Sequence, residues 1–139
     1  MRVLVIGGTG HIGSYLVPRL LLARHEVTVV ARTPRPRYTD ERLAWGRVRW
    51  EVADRIAEEE AGTWADRMAG LEIDAVIDLI AFRAEQNRIV MEAFAGRIEH
   101  FLHCGTIWSY GPTERAPYEE HFPRCPTTQY GIDKAQIES

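Results

Sequence analysis

Short apolar runs recur along the chain, and stretches of helical period separate them. The runs predict strands at Arg2–Ile6, Glu26–Ala31, Val48–Val52, Ala75–Ile80 and His100–Cys104. The intervening periodicity predicts helices at His11–Arg24, Ala61–Ala69 and Ala84–Ala95, with another from Tyr130 to Ser139. A continuous Val/Ile/Leu run suits a strand buried on both faces, which a parallel sheet covered by helices provides. The alternation therefore predicts an α/β fold, a doubly wound parallel sheet. In the first helix Ile12, Leu16 and Leu20 share a face, and Pro18 removes one backbone hydrogen bond, so a bend is expected there. Arg32 to Arg42, with Pro34 and Pro36, reads as an exposed connection, and Glu58-Glu59-Glu60 as a solvated helix start without a function.

One segment carries chemistry. Gly7-Gly8-Thr9-Gly10-His11-Ile12-Gly13 follows the first apolar run and opens into the first helix. Glycines in such a turn allow a tight bend, close approach of backbone to a pyrophosphate, and contact of helix with strand. The free N–H groups and positive dipole end of the helix beginning near His11 favour an anion. The spacing satisfies G-x-G-x-x-G through Gly8, Gly10 and Gly13, and G-x-x-G-x-x-G through Gly7, Gly10 and Gly13. Strand, glycine turn and helix together predict dinucleotide binding.

Composition narrows the class. At 139 residues with a net charge of −3 the chain is one domain, 1–139, with no electrostatic footprint for nucleic acid. No apolar run has the roughly 20 residues of a membrane span, and no signal peptide precedes the first strand, so cytoplasm is the expected location. Cys104 and Cys125 are expected as free thiols. His100 and His103 would point to opposite faces of a strand, poor geometry for one ion, so no metal site is expected. The last helix has no Gly or Asn cap after Lys134-Ala135-Gln136-Ile137-Glu138-Ser139. The chain therefore reads as the N-terminal part of a longer protein, cut before a sixth strand and a substrate domain.

With the glycine turn, Thr106, Tyr110-Gly111 and Tyr130-x-x-x-Lys134 in order, the chain resembles the short-chain dehydrogenase/reductase superfamily, in its extended and atypical epimerase/dehydratase branches. The resemblance implies a Rossmann fold, an NAD(P) cofactor and a small-molecule substrate such as a nucleotide sugar, with a homodimer in the full-length parent. It puts Thr106 at the catalytic hydroxyl and Tyr130 and Lys134 at the proton-transfer pair. Spacing of i, i+4 sets phenol and ammonium on one helix face, where the charge of Lys134 would favour the phenolate. Lys134 would also hold the nicotinamide ribose. Trp50-Glu51-Val52-Ala53-Asp54 is similar to the family's Gly-Asp-Leu-x-Asp, which implies that Glu51, Val52 and then Asp54 approach the adenine. Asp78-Leu79-Ile80-Ala81 occupies the usual His-Leu-Ala-Ala place, so Ile80 and Ala81 would flank the nicotinamide side.

Two departures refine this picture. Users of NAD commonly end the second strand with an acid that accepts from the ribose 2′-OH, whereas this chain has Ala31 and Arg32. Arg32, Arg35 and Arg37 could clamp a 2′-phosphate instead, so NADP is favoured over NAD. Cys104-Gly105 stands where relatives often carry serines, and Trp108 either walls the substrate pocket or packs in the core. Besides the oxidoreductase or epimerase/dehydratase reading stand two alternatives. One is a cofactor-binding sensor or scaffold without turnover; the other, RNA association as in some atypical members, is opposed by the mildly acidic charge.

Overall fold

A computed structural model describes residues 1–38, 45–113 and 116–139. Among these, five strands form one sheet: β1 (Arg2–Ile6), β2 (Glu26–Ala31), β3 (Arg49–Val52), β4 (Ala75–Asp78) and β5 (His100–His103). Their order is β3-β2-β1-β4-β5 and every pair is parallel. The helices are α1 (His11–Leu22), α2 (Arg55–Ala61), α3 (Trp64–Ala69), α4 (Ala84–Ala93) and α5 (Gln129–Ile137). Successive side chains of a strand face opposite ways, and β1 divides accordingly. Val3 and Val5 join Val17 and Leu21 of α1 in one core, while Leu4 and Ile6 join Trp64, Met68, Val90 and Phe94 in the other. The expected doubly wound sheet is what forms.

Local chemistry accounts for the differences from the sequence reading. The helix expected at Ala61–Ala69 begins only at Trp64, as α3, and a separate helix, α2, precedes it. Asp54 starts α2 by accepting from Ile56 N at 3.0 Å and Ala57 N at 3.4 Å, and Gly62 ends it in a left-handed conformation, φ +73°. Glu58-Glu59-Glu60 therefore lies in the second half of α2, not at a helix start, and Glu58 and Glu59 are not solvated. Glu58 pairs with Arg67 at 2.6 Å, and Glu59 pairs with Arg55 at 2.6 Å. The first helix stops at Leu22, two residues early, ahead of Arg24 at φ +65°, and it runs unbroken through Pro18, which is buried. Strands β4 and β5 end at Asp78 and His103, β3 begins after the buried Val48, and α4 stops at Ala93. Of the exposed connection expected over Arg32–Arg42, residues 32–38 are open chain and mostly exposed; 39–42 lie outside the described residues.

Arg2 ties the start of β1 to the approach to β4. Its backbone N–H donates to Asp74 at 2.7 Å and its guanidinium to the same carboxylate at 2.6 and 3.1 Å. These hydrogen bonds hold the Asp74 carboxyl below the usual carboxylate range. A depressed pKa contributes stability above the unfolded value and loses it as pH falls through the folded one. Asp74→Asn is therefore expected to lower the melting temperature near neutral pH. The gap to the parent should close as pH drops below about 4, followed by thermal melts across the acid range.

Candidate functional site

In a parallel sheet of this order the chain leaves β1 towards one face and β4 towards the other, which opens a crevice at the carboxyl ends between them. A cleft of about 350 Å³ sits there. Gly7, Thr9 and Gly10 form one side, Ala31 and Arg32 extend from β2, Ala53 to Ile56 form the corner between β3 and α2, and Ile80 and Phe82 follow β4.

The glycines of the turn have different reasons to be glycine. Gly7 sits at φ +80°, and a Cβ there would come within 2.5 Å of Ile80 Cγ2. A Cβ on Gly8 would meet Val29 Cγ1 at 2.9 Å, and one on Gly13 would lie 2.1 Å from the Gly8 carbonyl oxygen. Gly10 differs. Its nearest neighbour to a Cβ is Gly7 O at 3.6 Å, an ordinary contact, and its φ of −74° suits any residue. The protein itself makes no demand for glycine at the mouth of the cleft, whereas a phosphate seated on the helix end would. Gly10 is the N-cap of α1 and offers no side chain to the first-turn N–H groups, while exposed His11 and Ile12 begin the helix.

The segment after β2 returns across this turn. Arg37 N donates to Thr9 O at 2.8 Å and Tyr38 N to Ser14 Oγ at 3.3 Å, and the Tyr38 ring packs edge-on to His11 at 5.4 Å. Arg32, on the same segment, is exposed and lines the cleft. Glu51 and Val52, expected at the adenine, are not among the residues that line this cleft. Glu51 lies 3.7 Å from both Arg49 and Arg67, and Val52 is exposed; the β3 corner presents Ala53, Asp54, Arg55 and Ile56 to the cleft instead. Gly8 and Gly13 serve packing, while Ala81 is buried and contributes its carbonyl to another contact.

That contact involves α5. Lys134 is 3% exposed, and its Nζ donates to Ala81 O at 2.8 Å and to Cys104 O. Among the described residues no carboxylate pairs with this ammonium, so its charge is balanced by carbonyl dipoles from the segments that follow β4 and β5. Four residues earlier, Tyr130 is 42% exposed, its ring 6.4 Å from that of Phe82 on the cleft wall. Thr106 caps a 3-10 turn at Ile107–Ser109 by accepting from Trp108 N at 3.4 Å. Helix α5 packs on that turn so tightly that a Cβ on Gly131 would lie 2.4 Å from Trp108 O. Thr106, Tyr130 and Lys134 are thus brought to one side of the fold, beside the cleft. Trp108 is exposed and walls a small pocket of about 260 Å³ with Ile107, Pro112 and Tyr118, so it is not core packing.

Cys104 is half-buried and Cys125 exposed, both as free thiols. His103 Nε2 faces Glu138 at 3.9 Å. Among the described residues no group of three His, Cys, Asp or Glu side chains is placed to hold a metal, and no helix is long and apolar enough to cross a membrane. Sequence reasoning missed Arg55, a cleft-lining residue whose buried guanidinium is bound to Asp78 and Glu59. A charged residue in a first helical turn reads as solvated, and only the fold reveals its partner 23 residues away.

The sheet order and the glycine turn at its switch point define a Rossmann-type α/β fold. The chain belongs to the NAD dependent epimerase/dehydratase family, whose sequence profile matches residues 3–139. It is 31% identical over 138 residues to the 2′-dehydrokanamycin reductase of Streptomyces kanamyceticus, spanning 99% of this chain and 37% of the reductase. It is 28% identical over 156 residues to the UDP-glucose 4-epimerase of Streptococcus mutans, spanning 100% of this chain and 46% of the epimerase. Among solved structures, the UDP-glucose 4-epimerase from Bifidobacterium longum in complex with NAD+ and UDP matches with a TM-score of 0.76 at 21% identity. That match covers 99% of this chain and 47% of the other, and the likeness is one of fold. The chain spans less than half the length of these curated relatives.

Two glycine variants separate packing from ligand binding. Gly10→Val is expected to retain the fold by circular dichroism and to lose dinucleotide binding by calorimetry. Gly13→Ala should lose the fold or melt far below the parent, because its Cβ meets backbone that cannot yield. Parent-like binding by Gly10→Val would mean that the phosphates sit elsewhere.

Proposed function

We propose that these residues are the cofactor-binding part of an NAD(P)-dependent oxidoreductase or nucleotide-sugar epimerase/dehydratase, with NADP favoured over NAD and substrate selected by further chain. The observation that carries the reading is Gly10. It stands at a helix N-terminus in the switch-point cleft, and a ligand rather than the protein explains its missing side chain. Gly7, Thr9 and Gly10, with the first-turn N–H groups of α1, would hold the pyrophosphate. Ile80 and Phe82 would bound the nicotinamide side.

A bound dinucleotide supplies the hydride exchange. Tyr130 then gives or takes the proton at the substrate oxygen, and Thr106 hydrogen-bonds the same oxygen. Lys134 carries positive charge beside them. Its two carbonyl bonds fix the ammonium between the segments that follow β4 and β5. In the full-length protein, Tyr130→Phe is expected to lower turnover of nucleotide sugars or simple carbonyls by about 10²-fold or more while leaving cofactor affinity unchanged. Parental activity in that variant would remove Tyr130 from the chemistry. Unaltered cofactor binding with no turnover in the parent itself would favour the sensor or scaffold reading.

Arg32 supports the choice of NADP. It lines the cleft where an acid would accept from a ribose 2′-OH, and the segment that carries it with Arg35 and Arg37 is tethered against Thr9 and Ser14. Tryptophan-quenching titrations should find NADPH bound more tightly than NADH, and Arg32→Asp should reverse the order. Equal affinities for the two in the parent protein would discard the 2′-phosphate clamp.

A further inference from the structure

Arg55, Glu59, Asp78 and Gln86 form a buried polar cluster beneath the cleft that the proton-transfer chemistry leaves unused. The side chain of Arg55 is 4% exposed and that of Asp78 0%. Arg55 Nη1 donates to both oxygens of Asp78 at 2.8 and 3.1 Å, Nε to Glu59 at 2.6 Å and Nη2 to the Gln86 carbonyl at 2.6 Å. The same guanidinium lies over the Trp64 ring at 5.7 Å. A buried ion pair adds little net stability over apolar packing of the same volume, so its presence needs another account.

What the cluster holds is the cleft wall. Asp78 Oδ1 also accepts from Ile80 N at 3.0 Å, and Gln86 Oε1 accepts from Phe82 N at 3.0 Å. Gln86 is itself fixed by donating from Nε2 to Glu59 at 2.9 Å. Between the two tethered amides, Ala81 O accepts from Lys134. Three successive residues are thereby locked through their backbone, and two of those locks converge on one guanidinium. Ile80 and Phe82 line the cleft, and Ile80 is the side chain that packs against Gly7.

We propose that Arg55 is a positioning residue. Acting through Asp78 and Gln86, it fixes the Ile80–Phe82 wall and so sets the fit of the nicotinamide half of the dinucleotide, without touching the reacting atoms. The proposal rests on the dinucleotide reading of the cleft. Fixed geometry is what a guanidinium with several simultaneous partners provides, and a lysine ammonium at the same place cannot reach all of them.

The test uses Arg55→Lys and Asp78→Asn in the full chain, two conservative variants, with two readouts. In the ligand-free protein, hydrogen exchange at the Ile80 and Phe82 amides should accelerate about tenfold or more in Arg55→Lys, the scale of one lost charged hydrogen bond, while Val29 in β2 is unaffected. In calorimetry, both variants should bind NADPH about tenfold more weakly yet bind adenosine 2′,5′-bisphosphate, which lacks the nicotinamide half, within about twofold of the parent. Unchanged exchange at Ile80 and Phe82 overturns the proposal, as do equal losses for NADPH and the fragment, while the parent's own NADPH binding keeps the dinucleotide reading intact. Failure of the parent to bind NADPH or NADH overturns that reading and the proposal with it.

Discussion

The close approach of α1 to the turn before it is the constraint on which the site depends. A carbonyl oxygen at Gly8 stands where any side chain at position 13 would begin, and Gly8 in turn lies on Val5 and Val29 of the sheet. Helix and turn are therefore in backbone contact, and the turn rests on valine side chains of the sheet, which holds the start of the helix in place. Gly10, the N-cap of that helix, lines the crevice and offers no side chain to the first-turn N–H groups.

Much of the architecture was readable because parallel strands buried on both faces leave few alternatives. The runs at Arg2–Ile6 and Glu26–Ala31 have the observed bounds, since their Val and Ile residues face helices on either side. Helix boundaries were less legible. Asp54 and Gly62 are the cap signals of α2, yet the acidic run between them drew attention to composition instead of to its ends. Strand β4 came out shorter than its apolar pattern because Asp78 takes the backbone N–H of Ile80 with its own side chain, which ends the ladder.

The site divides along the same line. Residues in a local motif, Gly7 to Gly13, could be placed from spacing alone, because the turn and the helix that use them are contiguous. Thr106, Tyr130 and Lys134 needed the family resemblance to be grouped at all, since no local pattern joins a strand end to a helix 24 positions away. Glu51 and Val52 were likewise assigned by that resemblance, and neither lines the cleft. The neighbouring residues Ala53 to Ile56 turn into the cleft, whereas the Glu51 carboxylate faces Arg49 and Arg67. Arg55 had no signal of either kind, because its importance arises from a partner that only the sheet order brings near.

The two carbonyls that hold Lys134 belong to residues 53 and 30 positions earlier, whereas the glycine turn is bonded to β2 through Gly7 N and Val30 O, 23 positions apart. During synthesis from the N-terminus, the glycine turn therefore emerges well before the helix that carries Lys134. Contacts of such long sequence separation form late because loop closure must be paid first. The ammonium of Lys134 meets both acceptors only once the segments that follow β4 and β5 lie side by side. Under the proposed function, assembly of the proton-transfer set would await the docking of that single helix.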